Sequence, residues 1–134
     1  MNAADTPALT PVLTRAATAE TTSDPSSVMT LLADCGTDGS SLTSYRSQFA
    51  KGAVGAPAHF HTRASELFFV IGGSLQVLVD DEVKILDEGD LLLVPPRTPH
   101  AFAAAPGARP TCCSSSRRHA TLRLSPAARP GDAR

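Results

Sequence analysis

Between Leu67 and Val94 the chain repeats one rhythm: a short apolar run, then a pair or trio of turn residues. The runs are Leu67 to Ile71, Ser74 to Val79, Val83 to Leu86 and Leu91 to Val94, and Gly72-Gly73, Asp80-Asp81 and Glu88-Gly89-Asp90 separate them. Such runs are too short for stable helices and rich in β-favouring side chains, while Gly and Asp accept the backbone angles of tight turns. Consecutive antiparallel hairpins are the predicted result. Leu75, Val77 and Val79 alternate with Gln76 and Asp80, so one sheet face is buried and the other is wet. Upstream, Val28 to Ala33 and Ser41 to Phe49 read as two further strands, divided by Asp34, Gly36 and Asp38-Gly39. The fold class is all-β, a barrel or sandwich whose closure protects its strand edges.

At 134 residues and 42% hydrophobic the chain can bury one core and no more. Residues 1–27 are rich in Thr, Ala, Ser and Pro without a period, and read as an irregular N-terminal tail. The formal net charge of −1 gives no electrostatic reason to expect nucleic acid or an anionic membrane as partner. No apolar run approaches a membrane span, and Met1 to Asp5 lacks the charged lead of a signal sequence, so a cytoplasmic protein is expected. Cys35, Cys112 and Cys113 have neither disulfide-framework nor zinc-ribbon spacing and are expected to be reduced thiols.

Three of the four histidines fall in two short segments, His59-Phe60-His61 followed by Glu66, and Pro95 to His100. On an extended backbone, residues two apart project from the same side, so His59 and His61 form a clamp. If the His100 segment lies beside it, three imidazoles and a carboxylate meet. That donor set suits first-row divalent metals and leaves positions open on an octahedral ion for substrate, water or oxygen. A lone histidine is more often a surface or core residue, and Glu66 alone would be an ordinary solvated carboxylate. The joint spacing carries the reading.

From about Gly52 to Ala104 these residues resemble the two signature motifs of the cupin superfamily, the small β-barrels typified by germins and quercetinase-like dioxygenases. His59, His61, Glu66 and Gly73 match the first motif, and Gly89, Pro95 and His100 match the second. Gly52 stands one residue before the first motif's leading glycine position, which Ala53 occupies; Arg97 replaces a glycine and Ala104 an asparagine of the second motif. The resemblance implies a cupin-type double-stranded β-helix (jelly-roll) barrel over residues 28–106. It further implies a divalent transition metal (Fe, Mn, Ni, Cu or Zn) held by His59, His61, Glu66 and His100. The implied activity is that of a metal-dependent, dioxygenase-like oxidoreductase acting on a small organic substrate, in a chain that can form a homodimer. A non-catalytic small-ligand module and an inactive product are the alternatives, because a shared fold does not fix a reaction. Catalytic residues beyond the ligands are unknown, since no general base, nucleophile or phosphate-binding loop stands out.

Phe60, Phe68, Phe69 and Phe102 flank the ligands, and are expected to divide between a cavity wall and ordinary core packing. Tyr45, Arg46 and Gln48 are candidates for orienting a substrate, with strand parity admitting only some of them to the interior. Arg97 could meet a substrate anion or simply sit on the surface.

The chain changes character near Gly107. Up to Pro106 it has six Lys plus Arg against twelve Asp plus Glu, whereas Gly107 to Arg134 has six Arg, no Lys and one Asp. Few β-branched or aromatic residues occur where the last barrel strands belong. In a shifted frame, the codons for Cys112-Cys113-Ser114-Ser115 would specify apolar residues throughout. Residues 107–134 are therefore expected to be an irregular Arg-rich tail: an out-of-frame segment that leaves the C-terminal edge incomplete, or a genuine basic tail for an acidic partner. His119 lies in this segment and is excluded from the site.

Overall fold

The computed structural model describes residues 10–35 and 41–118. Among these, the strands are β1 Thr21–Ser23, β2 Ser27–Ala33, β3 Leu42–Phe49, β4 Ala64–Gly72, β5 Leu75–Val79, β6 Glu82–Leu86, β7 Leu91–Val94, β8 His100–Ala104 and β9 Thr111–Arg118. They form a six-stranded sheet in the order β1-β2-β3-β9-β4-β7 and a three-stranded sheet β6-β5-β8, with antiparallel pairing throughout. From β4 onward the chain passes back and forth between the sheets, which makes a jelly-roll barrel. No helix in the described residues is long and apolar enough to cross a membrane.

Each run read as a strand from the sequence is one. The alternation on β5 is also found: Leu75 and Val77 are fully buried and Val79 packs against them. On β4 the same parity sends Phe68 and Val70 inward, both wholly buried, while Phe69 and Ile71 turn out to solvent. Inward side chains from both sheets, including Phe49, Phe68, Val70, Leu75, Val77, Leu86, Val94 and Cys112, make one core. Phe102 completes it, with its ring centroid 5.1 Å from Phe68 and 6.0 Å from Phe49.

Two turns show why their residues are needed. Gly73, after β4, has φ 71°, and a Cβ there would lie 2.9 Å from the Arg109 carbonyl oxygen and from the Pro110 Cα. Only glycine lets the β8–β9 connection pass so close. Gly52 also takes a left-handed angle, φ 76°, and the buried Ala53 after it bonds into the barrel through its carbonyl, which accepts from the Ala104 N–H at 2.9 Å. Ala104, in the place of the motif asparagine, is a core residue.

The expectation of an irregular segment from residue 107 fails over Thr111–Arg118. This stretch is β9, inserted between β3 and β4 and paired with both. A gap there would strand the donors and acceptors along two long strands, so backbone pairing outweighs the weak β preference of TCCSSSRR. Its side chains fit where they fall. Cys112 points into the core between Ser47 and Val70, and burial, with Cys113 beside it, pushes its thiol up to about 12. On the other face the Ser115 and Ser44 hydroxyls hydrogen-bond at 2.9 Å. Residues 119–134, including His119, lie outside the described residues, as do 1–9. Part of the expected N-terminal tail is ordered into β1, which pairs with β2.

The parity of β4 has a measurable consequence. Phe68→Ala should destabilise the protein by about 3–5 kcal/mol in denaturant unfolding, whereas Phe69→Ala, one residue along on the solvent face, should cost no more than about 1 kcal/mol.

Candidate metal centre

Glu66 stands on the inward face of β4, opposite Val94 on β7 and Ser116 on β9. His100 opens β8 and is almost fully buried. His59 and His61 were expected on a strand but lie in the connection before β4. There His59 forms an isolated bridge with His100: its N–H donates to the His100 carbonyl at 3.0 Å, and the His100 N–H donates back at 2.8 Å. Two short backbone hydrogen bonds thus tie the clamp to the barrel without a full strand.

The side chains converge on one carboxylate oxygen. Glu66 Oε2 lies 2.8 Å from His100 Nε2, 3.0 Å from His61 Nε2 and 3.8 Å from His59 Nε2. One donor atom from each of the four residues can be chosen so that all lie within 4.8 Å of one another. The imidazoles of His59 and His100 are 4.4 Å apart between centroids. His59 and His100 are buried, while His61 keeps 23% of its side chain exposed, which makes the His61 side the open one.

Proton placement tests whether this set fits a metal. His59 Nδ1 faces the Pro57 carbonyl at 2.7 Å and His100 Nδ1 faces the Thr98 carbonyl at 2.8 Å. A carbonyl oxygen only accepts, so each ring carries its proton on Nδ1 and, when neutral, turns an Nε2 lone pair toward Glu66. An ionised carboxylate also only accepts. Lone pairs then face each other at close range, and a cation or an added proton must sit among them. Carbonyl-anchored imidazoles beside a carboxylate are the usual support for a metal, so the residues fit a divalent ion.

Charges follow the same logic. Burial pushes the Glu66 carboxyl up, but the imidazoles gathered on it, His100 first and then His59 and His61, outweigh burial and hold the group far below the usual carboxylate range. His59 is raised above the ordinary histidine value, chiefly by its interaction with Glu66, against burial and with help from the Pro57 carbonyl.

The surrounding candidates separate by parity. Tyr45 shares the inward face of β3 with Ser47 and Phe49 and lines a recess of about 210 Å³ with Glu20, Thr22, Met29 and Leu31; Arg46 and Gln48 are on the other face. Phe68 packs edge-on to His100 with centroids 6.0 Å apart, Phe60 is half-buried, and Phe69 faces solvent. Arg97 is exposed and adopts φ 65°, keeping the turn of the glycine it replaces at a cost of about 1–2 kcal/mol. Its N–H holds the His61 carbonyl at 2.7 Å, so it acts through its backbone. Ser114 and Ser116 were missed. Register places Ser116 opposite Glu66 and Ser114 opposite Phe68 and Tyr45, which gives the inner wall a row of hydroxyls. Strand parity would have found them had 111–118 been read as a strand.

A small antiparallel jelly roll with three imidazoles and a carboxylate gathered inside defines a class of β-barrel proteins with a candidate metal site. The cupin-domain family profile matches residues 45–113, just over half of the chain. The chain belongs to the cupin family, whose members commonly bind a divalent metal. No curated protein matches it in sequence. Among solved structures it is similar to KdgF from a Halomonas species, with TM-score 0.66 and 22% identity over 82% of this chain and 96% of that one. It is also similar to an RmlC-like cupin from Shewanella frigidimarina, with TM-score 0.64 and 22% identity over 84% and 95%. The Streptomyces protein Pac13, described as a nucleoside dehydratase, superposes with TM-score 0.63 at 17% identity over 81% and 83%. At these identities the likeness is one of fold.

The two pKa shifts set a pH dependence for the metal-free protein. Glu66, depressed in the fold, contributes stability above about pH 4 that is lost only in stronger acid; His59, raised, contributes stability below about pH 6.5 that disappears as pH climbs through its folded value. Metal-free protein should melt higher at about pH 6 than at about pH 8.5, and added divalent metal should raise the melting temperature more at the higher pH, where the Nε2 lone pairs are free. Thermal melts at both pH values check this.

Proposed function

We propose that this chain is a metal-dependent cupin enzyme that binds one divalent transition ion through His59, His61, Glu66 and His100 and acts on a small organic substrate, with dioxygenase-like chemistry as the leading reading. The observation that carries it is the inward convergence of three imidazole nitrogens on Glu66 Oε2, with two of the rings anchored from behind by carbonyls. When bound, the ion supplies Lewis-acid polarisation of a substrate oxygen or, if redox-active, the electrons that activate dioxygen. The protein supplies the rest. His59 and His100 hold fixed tautomers, and Glu66 brings the negative charge that offsets the ion. Phe68 keeps the His100 side dry, and the half-exposed His61 side admits substrate. Tyr45, Ser114 and Ser116 offer hydroxyls to a polar substrate on the inner wall.

That hydroxyl row favours one alternative, a redox-neutral reaction in which the ion polarises a hydroxylated substrate. Pac13, a protein of similar fold, is described as a nucleoside dehydratase, and loss of water from a hydroxylated substrate is redox-neutral. The family link to small-molecule substrates and the three free cysteines also suit the cytoplasmic setting proposed for it.

Elemental analysis of protein purified without a histidine tag should find close to one transition ion per chain. His61→Ala combined with His100→Ala should abolish retention while leaving the far-ultraviolet circular dichroism unchanged; retention by the double variant would remove these residues as ligands. Oxygen uptake across a panel of small enolic, aromatic and hydroxylated compounds then separates the two chemistries, since substrate loss without oxygen consumption selects the redox-neutral reading.

A further inference from the structure

The Arg97 side chain adds strain to the fold and no contact. Its φ of 65° lies in the left-handed region, which a residue with a Cβ enters only under strain and glycine enters freely. Its backbone N–H holds the His61 carbonyl at 2.7 Å, but glycine has the same N–H. The side chain is exposed and makes no ion pair or hydrogen bond among the described residues. Asp80 is also exposed, and its N–H donates to the Pro99 carbonyl of the same β7–β8 connection at 2.8 Å, yet it does not pair with Arg97. A strained residue whose side chain does nothing for packing points to a role in the site beside it.

The β7–β8 connection touches two of the four clustered residues. Arg97 N–H is bonded to His61, and the Thr98 carbonyl accepts from His100 Nδ1 at 2.8 Å. Pro95, Pro96 and Pro99 restrict the backbone around them, so the start of the Arg97 side chain is fixed at the rim of the cluster. That rim is the open one: His61 keeps 23% of its side chain exposed, against 7% for His59 and 1% for His100. A molecule that enters beside His61 therefore passes a guanidinium with free donors.

Charge narrows what that molecule is. With neutral imidazoles the cluster holds the single negative charge of Glu66, which a divalent ion outweighs, so the loaded centre is cationic. An anionic group at the His61 side is attracted from within and from Arg97 at the rim, while a cationic group is repelled by both. Guanidinium also grips a carboxylate through two parallel N–H···O bonds, which an ammonium does not.

We propose that Arg97 is a specificity-determining residue: its guanidinium binds a carboxylate on the substrate while the substrate's other end enters the cluster past His61. The substrate class is then a small organic acid whose carboxylate stays at the rim. This rests on the reading of His59, His61, Glu66 and His100 as a metal centre.

Two probes of one shape test it, the monohydroxamate of succinic acid and the same molecule with a carboxamide in place of its carboxylate. Both carry a chelating end, and only the first carries the anion. Calorimetric titration of zinc-loaded protein should find the carboxylate probe bound about fivefold tighter, the effect of an exposed charge pair. Arg97→Gln, which removes the charge, and Arg97→Gly should each cut that preference to less than about twofold, and Arg97→Lys should keep part of it. Added salt should narrow the preference in the natural chain. Without any ligand or ion, Arg97→Gly should melt no lower than the natural chain, because the strain leaves with the side chain. Equal affinities for the two probes in the natural chain, or a preference that survives in both Arg97→Gln and Arg97→Gly, overturn the proposal and leave the metal reading standing. A lower melting temperature for Arg97→Gly overturns it as well, by giving the side chain a structural role. If the protein retains no zinc, or the loaded protein binds neither probe, the metal reading falls and the proposal falls with it.

Discussion

Backbone pairing on both sides of β9 holds this barrel together. Without Thr111–Arg118, β3 and β4 would each present an unsatisfied row of donors and acceptors, and Phe68, Val70 and Phe49 would lose the wall that shields them. The strand contributes few apolar side chains; Cys112 is its main share of the core. What it supplies is hydrogen-bonding continuity, and that continuity keeps Glu66 facing into the barrel. The cluster of His59, His61, Glu66 and His100 therefore depends on a segment that carries none of its members.

The site shows a second dependence of side chain on backbone. His59 and His100 are aligned by reciprocal main-chain hydrogen bonds and then locked in rotation by carbonyls two residues upstream, those of Pro57 and Thr98. His61 is reached by neither device; its carbonyl is held from Arg97, in a turn that keeps a left-handed angle without glycine. Two of the three imidazoles are thus firmly set inside and His61 is the more open one, an asymmetry that leaves the cluster reachable from one side.

Most of the barrel was legible because the alternation in β5 and the Gly and Asp turns of residues 72–90 are local signals, readable without knowing what lies across the sheet. The four-residue cluster was legible for a different reason: its spacing matches a motif, and His59, His61, Glu66 and His100 do meet. The failures share a cause. The β9 segment has no local strand signal, since its conformation is imposed by β3 and β4, which are distant in sequence; Ser114 and Ser116 were lost with it. The His59 segment looked like a strand because two residues of one type stood two apart, yet only one bridge holds it there. Parity sorted Tyr45 from Arg46 and Gln48, but needed the register with β9 to say which face was inside.

Cys112 carries a separate implication. Its sulfur is sealed in the core and kept in the protonated form well above neutral pH, while the adjacent Cys113 sits on the other face of the same strand. Thiolate is the reactive species, so an alkylating reagent can modify Cys112 only when β9 peels away from its neighbours. The chain carries a built-in clock for the opening of its sheet, timed by a residue whose ordinary role is to fill space.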